Sequence, residues 1–259
     1  MIGFIGFGTM GKALSKTLLE NGFTKDKIIC FDPKIEQIQK SGFIVATNSK
    51  EVVEKSNFIF LCVKPNILNQ VLEEIKSIIT NQTIISIAAG MPISKMKTVL
   101  GEKKIVRVMP NICALVSESA SAFTSINLNS IEKEKIKQLL ENFGKAIEIE
   151  EKHFNAVTGL SGSGPAFVAY FLKLMISAGE ENGLTKEQSK KLALQTLLGT
   201  SKLLSETKIS PEELIEMVSS PNGTTIAGRK ILENSAFEQI IKNTIARTKQ
   251  RAEELGKNE

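Results

Sequence analysis

The sequence predicts two consecutive parts: a parallel α/β domain over residues 1–152 and an all-helical domain over residues 153–259. Short apolar runs alternate with amphipathic helical stretches up to about residue 150, and strand signals then stop. Near-continuous apolar strands imply a sheet covered by helices on both faces. At 259 residues, 42% hydrophobic and 24% charged, the chain has ample core and is not intrinsically disordered.

The strand runs fall at 2–6, 28–32, 43–46, 58–63, 83–88 and 105–109. Segments of helical period lie between them at 8–21, 33–41, 49–56, 67–79 and 93–100. Runs at 121–126 and 146–150 flank a further helix, 130–143, and could extend the sheet. Helices follow at 165–183, 186–206, 211–219, 225–234 and 237–255. Pro165 and Pro211 stand near helix starts, where the missing N–H costs nothing. Residues 166–179, AFVAYFLKLMISAG, are apolar on nearly every face. A helix of that kind needs cover all round, more than about 105 residues can supply, so a second subunit is expected. The last helix keeps one apolar stripe through Phe237, Ile240, Ile241, Ile245 and Leu255.

Composition narrows the function classes. Of 33 basic residues only four are Arg, Trp is absent and Tyr170 is the sole tyrosine, so base-stacking and phosphate-fork chemistry are scarce. The net charge of +5 is explained by a solvated Lys-rich surface, and no nucleic-acid partner is expected. The cysteines Cys30, Cys62 and Cys113 are scattered in apolar stretches without a CxxC pair. His153 is the only histidine, so neither a metal cluster nor a Ser-His-Asp triad is expected. No apolar run approaches the roughly 20 residues of a membrane span, and no leader pattern opens the chain, so a cytoplasmic protein is expected.

The chemistry-bearing signal is IGFIGFGTMGKAL, residues 2–14, with Gly6, Gly8 and Gly11 in G-x-G-x-x-G spacing. The motif follows a strand and opens a helix, the context of a dinucleotide-binding (Rossmann) fingerprint. Gly6 permits the tight turn, Gly8 lets a pyrophosphate approach, and Gly11 lets helix pack on strand. Phe7, Thr9 and Met10 complete a loop whose N–H groups and positive helix end suit phosphates. Asp32 closes the second strand 21 residues after Gly11, the distance expected of a ribose-reading acid, or else it caps the turn before Pro33. Val63, Lys64 and Pro65 after the fourth strand, and Ala88 and Ala89 after the fifth, fall where ligands of open α/β sheets bind. Either segment could equally be a strand-ending turn, and Lys64 a solvated lysine.

Six segments occur in order along nearly the whole chain: IGFIGFGTMGKA, FLCVKPNIL, SIAAGMPI, VRVMPNICALV, GLSGSGPAFV and MVSSPNGTTIAG. With these the chain resembles the pyrroline-5-carboxylate reductases; the last two segments are the specific part. The resemblance implies an N-terminal Rossmann domain and a C-terminal domain, 153–259, for dimerisation and substrate, with dimers assembled into a larger ring. It implies hydride transfer from NADH or NADPH to the C=N carbon of 1-pyrroline-5-carboxylate, giving L-proline. It also directs attention to the hydroxyl-rich turn SSPNGTT, residues 219–225. There the N–H groups of Gly223 and Thr224, with the Ser220 hydroxyl, would form a nest for the substrate carboxylate. The Thr225 hydroxyl would bond the ring nitrogen, orienting it for reduction. The same residues are also good helix N-caps. Asn222 stands where the family has glycine, and asparagine tolerates the left-handed backbone such a turn needs. The glycines of 159–167 serve either a tight domain or dimer junction or substrate contact.

Two other readings remain at this level. A β-hydroxyacid dehydrogenase would use a catalytic lysine on a helix, for which Lys173 is available but without Gly-rich surroundings. A dinucleotide sensor would use the helical half for assembly only. Asp32 favours NADH over NADPH, since a carboxylate accepts from a 2′-hydroxyl and repels a 2′-phosphate.

Overall fold

A computed structural model describes residues 1–258. Two compact units divide the chain: Met1–Pro165 together with the segment from Ile245 onward, and Ala166–Thr244.

The first unit is built on an eight-stranded sheet. In chain order it holds β1 (Ile2–Ile5), α1 (Thr9–Glu20), β2 (Ile28–Phe31), α2 (Ile35–Gln39), β3 (Ile44–Val45) and α3 (Ser49–Lys55). Then come β4 (Phe58–Leu61), α4 (Pro65–Ile75), β5 (Thr83–Ser86), α5 (Ile93–Leu100) and β6 (Lys104–Met109). The unit's later elements are β7 (Ser119–Ile126), α6 (Ser130–Glu141), β8 (Gly144–Glu148) and the single turn α7 (Phe154–Val157). The strand order is β3-β2-β1-β4-β5-β6-β7-β8. The first six strands in that order run parallel, and their order is that of a doubly wound dinucleotide-binding sheet with its switch point between β1 and β4. Ile2 pairs with both Ile28 and Phe58, and Phe58 with Thr83, so the carboxyl ends of β2, β1, β4 and β5 finish level.

Local chemistry sets several of these boundaries. Pro65 opens α4 at the first helical position, and α6 starts on a capping box between Asn129 and Glu132. β7 departs from the all-parallel pattern and pairs antiparallel with β6, Met109 opposite Ala122. Only a short 3₁₀ turn, Ile112–Val116, and left-handed Ser117 (φ +58°) join the two strands. That connection is too short for a crossover, so the chain must reverse.

Both faces of the sheet are covered. On one, Phe4 and Phe60 stack at 5.0 Å, Phe143 meets Phe60 edge-on at 5.9 Å, and Leu14, Leu18, Ile136 and Leu140 of α1 and α6 close over them. On the other, Val52, Leu68, Leu72 and Met96 from α3, α4 and α5 cover Ile5, Ile29, Ile59 and Ile84. Each fully buried side chain of this size contributes about 1.5–3 kcal/mol. Arg107 of β6 is buried among them; its Nη1 lies 2.9 Å from Glu151 Oε1 and its guanidinium sits 4.6 Å over the Phe154 ring. The same carboxylate oxygen accepts the Ile93 N–H at 2.7 Å, which fixes the start of α5.

After α7 the backbone makes one π-helical turn, Thr158–Gly162, before α8 (Gly164–Glu181). Its glycines are close-approach positions: a Cβ on Gly162 would lie 2.5 Å from Met109 Cε, and one on Gly159 would lie 2.9 Å from the Ile245 carbonyl oxygen.

The second unit contains α8 from Ala166 onward, α9 (Lys186–Glu206), α10 (Pro211–Met217), α11 (Thr224–Glu233) and α12 (Phe237–Asn258) as far as Thr244. Capping boxes at Thr185 and Ser210 start α9 and α10. α8 and α9 pack closely at Gly179, where a Cβ would lie 2.7 Å from Ser189 Oγ. The apolar residues of α8 are uncovered in the single chain: Val168, Tyr170, Phe171 and Leu174 are all exposed. Continuous helical structure from Glu151 to Glu181 makes this the one helix, among the described residues, long and apolar enough to cross a membrane. The expectation that no apolar run approaches a membrane span is not met over Glu151–Glu181, by length and composition. The part of α12 from Ile245 onward falls in the first unit.

Candidate active site

The level carboxyl ends of β2, β1, β4 and β5 bring together Gly6 to Gly11, Asp32, Val63 to Pro65, and Ala88 with Ala89. Gly6 has φ +94° and lies against the end of β4, where a Cβ would meet the Cys62 carbonyl oxygen at 2.7 Å. Only glycine adopts that conformation in that space. A Cβ on Gly11 would lie 2.3 Å from the Gly6 carbonyl oxygen, so α1 rests directly on the turn. Gly8 is different: no atom stands within 4 Å of its Cβ position.

Gly8 is the N-cap of α1 and offers no capping side chain. The first helical hydrogen bond runs from Lys12 N–H to the Gly8 carbonyl at 3.0 Å. The N–H groups of Thr9, Met10 and Gly11 therefore have no intrahelical acceptor, and no acidic residue occupies the first turn to neutralise the positive helix end. An open approach, unused donors and an unneutralised dipole fit the pyrophosphate of a dinucleotide.

Asp32 faces this loop. Its Oδ2 accepts the Phe7 N–H at 2.7 Å and its Oδ1 accepts the Lys34 N–H at 2.9 Å. The turn-capping reading is thus present in the structure, and the contact with Phe7, distant in sequence, was not foreseen. The Phe7 ring is buried, edge-on to Phe43 at 6.0 Å. Lys64 is exposed and caps α4, Val63 is half-buried beneath Gly6, Ala88 is buried and Ala89 exposed. Burial pushes the Cys30 thiol up to about 12 and the Cys62 thiol higher still, so neither supplies a thiolate near neutral pH. Among the described residues no His, Cys, Asp and Glu group is arranged to hold a metal ion.

The hydroxyl-rich turn lies in the second unit, between α10 and α11. The Gly223 N–H closes it on the Ser220 carbonyl at 2.9 Å, with Pro221 and left-handed Asn222 (φ +59°) as its central residues. Proline followed by a positive φ is the type II pattern, and Asn222 adopts the conformation that glycine would otherwise supply. This corrects one expectation: the Gly223 N–H is spent within the turn and is not open to an anion. Gly223 instead contributes its lack of a side chain, since a Cβ would lie 2.4 Å from Ser220 Oγ. Thr224 and Thr225 begin α11 with exposed side chains, and their N–H groups precede the first helical bond, Ala227 N–H to the Gly223 carbonyl at 3.3 Å. Lys173, the residue a hydroxyacid dehydrogenase reading would need, extends over the Tyr170 ring at 5.9 Å.

Two supports of the site had no assigned role in the sequence. Asn111, in the MPN segment after β6, accepts the Cys113 N–H at 3.0 Å and donates its Nδ2 hydrogen to the Ser161 carbonyl at 3.0 Å, registering the π turn. Arg229, four residues after Thr225 on α11, reaches Glu216 at 2.8 Å and Glu233 at 3.0 Å, tying α10 to α11 across the turn.

The doubly wound sheet, its switch point and the open helix start define a Rossmann-type dinucleotide-binding protein. Residues 151–255 match the family model for pyrroline-5-carboxylate reductase dimerisation, and residues 1–90 match that for NADP oxidoreductase, coenzyme F420-dependent. The chain is 40% identical over 261 residues to the pyrroline-5-carboxylate reductase of Aquifex aeolicus, covering 98% of this chain and 97% of that one. It is 40% identical over 266 residues to that of Methanosarcina acetivorans, covering 99% and 98%. Among solved structures, the Coxiella burnetii pyrroline-5-carboxylate reductase superposes with a TM-score of 0.93 at 29% identity, covering 98% of this chain and 97% of that one. The Plasmodium falciparum enzyme, with NADP bound, gives 0.89 at 31% identity and the same coverage. The chain belongs to the pyrroline-5-carboxylate reductase family.

Proposed function

We propose that the protein reduces the C=N bond of 1-pyrroline-5-carboxylate to give L-proline, the last step of proline biosynthesis. The carrying observation is the Ser220–Thr225 turn at the start of α11, held within a chain that matches reductases of this name end to end. A nicotinamide dinucleotide supplies the hydride when bound, so the protein's task is to bind, orient and exclude water.

Residues 1–152 serve as the dinucleotide domain. Thr9, Met10 and Gly11 donate N–H groups to the pyrophosphate, Gly6, Phe7 and Gly8 shape its approach, and Asp32 takes the adenosine ribose. Val63, Lys64, Pro65, Ala88 and Ala89 line the continuation of the groove across β4 and β5. Residues 153–259 serve dimerisation and substrate. The N–H groups of Thr224 and Thr225 and the Ser220 hydroxyl hold the substrate carboxylate, and Gly223 keeps the turn compact. The Thr225 hydroxyl hydrogen-bonds the ring nitrogen; as a weak acid it orients the imine and does not drive protonation. A protonated imine is already electrophilic, so the chain's own residues would contribute by orienting it toward the bound dinucleotide and excluding water.

The carboxylate of Asp32 favours NADH, because a 2′-phosphate there meets like charge. The exposed apolar surface of α8 is covered by a second copy of the chain, and the dimers assemble into a larger ring. The enzyme works in the cytoplasm on a free small molecule. The test is NADH or NADPH oxidation on addition of 1-pyrroline-5-carboxylate, with proline formed in equal amount. Oxidation supported only by a hydroxyacid substrate would favour the dehydrogenase reading instead.

A further inference from the structure

The glycine loop is tied to the end of β2 at two consecutive peptides. Gly6 N–H donates to the Phe31 carbonyl at 2.8 Å, and Phe7 N–H donates to Asp32 Oδ2 at 2.7 Å. Asp32 Oδ1 in turn accepts the Lys34 N–H at 2.9 Å, so one carboxylate joins the loop after β1 to the turn after β2. The carboxylate holds the N–H side of the Gly6–Phe7 peptide plane, whose carbonyl side rests against Gly11 of α1. That plane sets the direction of the chain entering α1 and therefore of the Thr9, Met10 and Gly11 donors.

From this geometry we infer that Asp32 is a positioning residue for the glycine loop, required for binding the pyrophosphate of either dinucleotide and not only for reading a ribose hydroxyl. The inference rests on the nicotinamide-dinucleotide reading above. Its physical basis is the strength of the bonds: a carboxylate accepting backbone N–H groups makes short, charge-assisted hydrogen bonds about twice as strong as neutral ones. A carboxylate beside an anion site also carries an electrostatic cost, which two backbone donors offset. Each oxygen keeps a further lone pair, so a ribose contact is compatible with the loop contact.

The two roles separate in Asp32→Asn. In either orientation the amide offers one neutral acceptor in place of two charged ones, so the Phe7 tie is weakened or lost, and Asp32→Ser, whose hydroxyl is too short to reach both donors, removes it. Either change also removes the charge that repels a 2′-phosphate. A ribose reader alone would then lose NADH and gain NADPH. A loop anchor loses pyrophosphate along with NADH.

The experiment is equilibrium binding of NADH, NADPH and inorganic pyrophosphate by calorimetry to the full-length native protein, Asp32→Asn and Asp32→Ser, with thermal unfolding of each. Steady-state kinetics run in parallel. Both variants are expected to fold, Asp32 being partly exposed at a strand end. The dissociation constants for NADH and pyrophosphate and the KM for NADH should rise about tenfold, the loss expected of one charge-assisted hydrogen bond, with the rise for NADPH smaller because a repulsion is removed. The kcat at saturating dinucleotide and the KM for the imine should stay within about twofold of native. Pyrophosphate binding that is unchanged or tighter in the variants overturns the anchoring role while leaving the dinucleotide reading intact. A native protein that binds neither NADH nor NADPH overturns both.

Discussion

Gly8 and Gly11 should lose cofactor binding alike under the same substitution, whereas only Gly11 should lose much stability. In Gly11→Ala the new methyl would stand 2.3 Å from the Gly6 carbonyl oxygen, where ordinary contact begins at 3.4 Å, so about 1.1 Å must be found. The Gly6 peptide cannot yield cheaply, being held at φ +94° and bonded to the Phe31 carbonyl at 2.8 Å. Overpacking of this kind costs about 1–3 kcal/mol, which for a chain of this size lowers Tm by about 2–10 °C. A loop displaced by about 1 Å should also lower kcat/KM for the dinucleotide about a hundredfold. In Gly8→Ala no atom lies within 4 Å of the new methyl, and the backbone at φ −72° and ψ −160° is one alanine adopts. The free protein should lose only the weak N-cap advantage of glycine, about 0.5 kcal/mol and a Tm shift of about 2 °C or less. Yet the methyl projects into the open approach to the Thr9, Met10 and Gly11 donors, so binding should fall about as far as in Gly11→Ala. The assay is thermal unfolding of each variant beside a cofactor titration. Native-like cofactor affinity in Gly8→Ala would show that the pyrophosphate lies elsewhere.

Thr225→Ala should lower kcat with 1-pyrroline-5-carboxylate roughly tenfold while leaving the KM for the dinucleotide unchanged, as one well-placed hydrogen bond requires; steady-state kinetics check it, and native kcat would remove Thr225 from the site. At Asn222, φ +59° predicts that Asn222→Gly retains activity, whereas Asn222→Val costs about 1–2 kcal/mol locally and raises the KM for the imine, measured by the same kinetics. Light scattering at micromolar concentration should show a dimer or larger and no stable species of 28.3 kDa, because α8 leaves Val168, Tyr170, Phe171 and Leu174 exposed in one chain. The ratio of kcat/KM for NADH to that for NADPH should be at least one at matched salt; a strong NADPH preference would mean that Asp32 serves the loop without facing the ribose.

Much of the first unit was legible because its rules are local. Apolar strands followed by helical periods give a doubly wound sheet, and the roles of Gly6, Gly8 and Gly11 as turn, opening and close contact follow from spacing and show in the distances. Features set by tertiary context were not legible. The residues between Met109 and Ser119 carry no signal that β7 would run antiparallel; the reversal depends on a 3₁₀ turn and left-handed Ser117. The glycines of the π turn announced close approach but not their partners, Met109 and Ile245. In the hydroxyl-rich turn, the resemblance to the family pattern pointed to Asn222 as a stand-in for glycine, and its φ of +59° agrees. The sequence could not show that the turn consumes the Gly223 N–H, because a donor's partner depends on the backbone path through Pro221 and Asn222. Asp32 is the sharpest case: its sequence position points to a ribose reader before a turn cap, and only the fold brings it to the Phe7 N–H.

The most direct measurement mixes the purified protein with NADH and 1-pyrroline-5-carboxylate and follows dinucleotide oxidation together with proline formation. Equal amounts of NADH consumed and L-proline formed, abolished by omitting the imine and reduced about tenfold in Thr225→Ala, are the expected result. No imine-dependent oxidation of NADH or NADPH, in protein shown by calorimetry to bind either one, would contradict the assigned reaction.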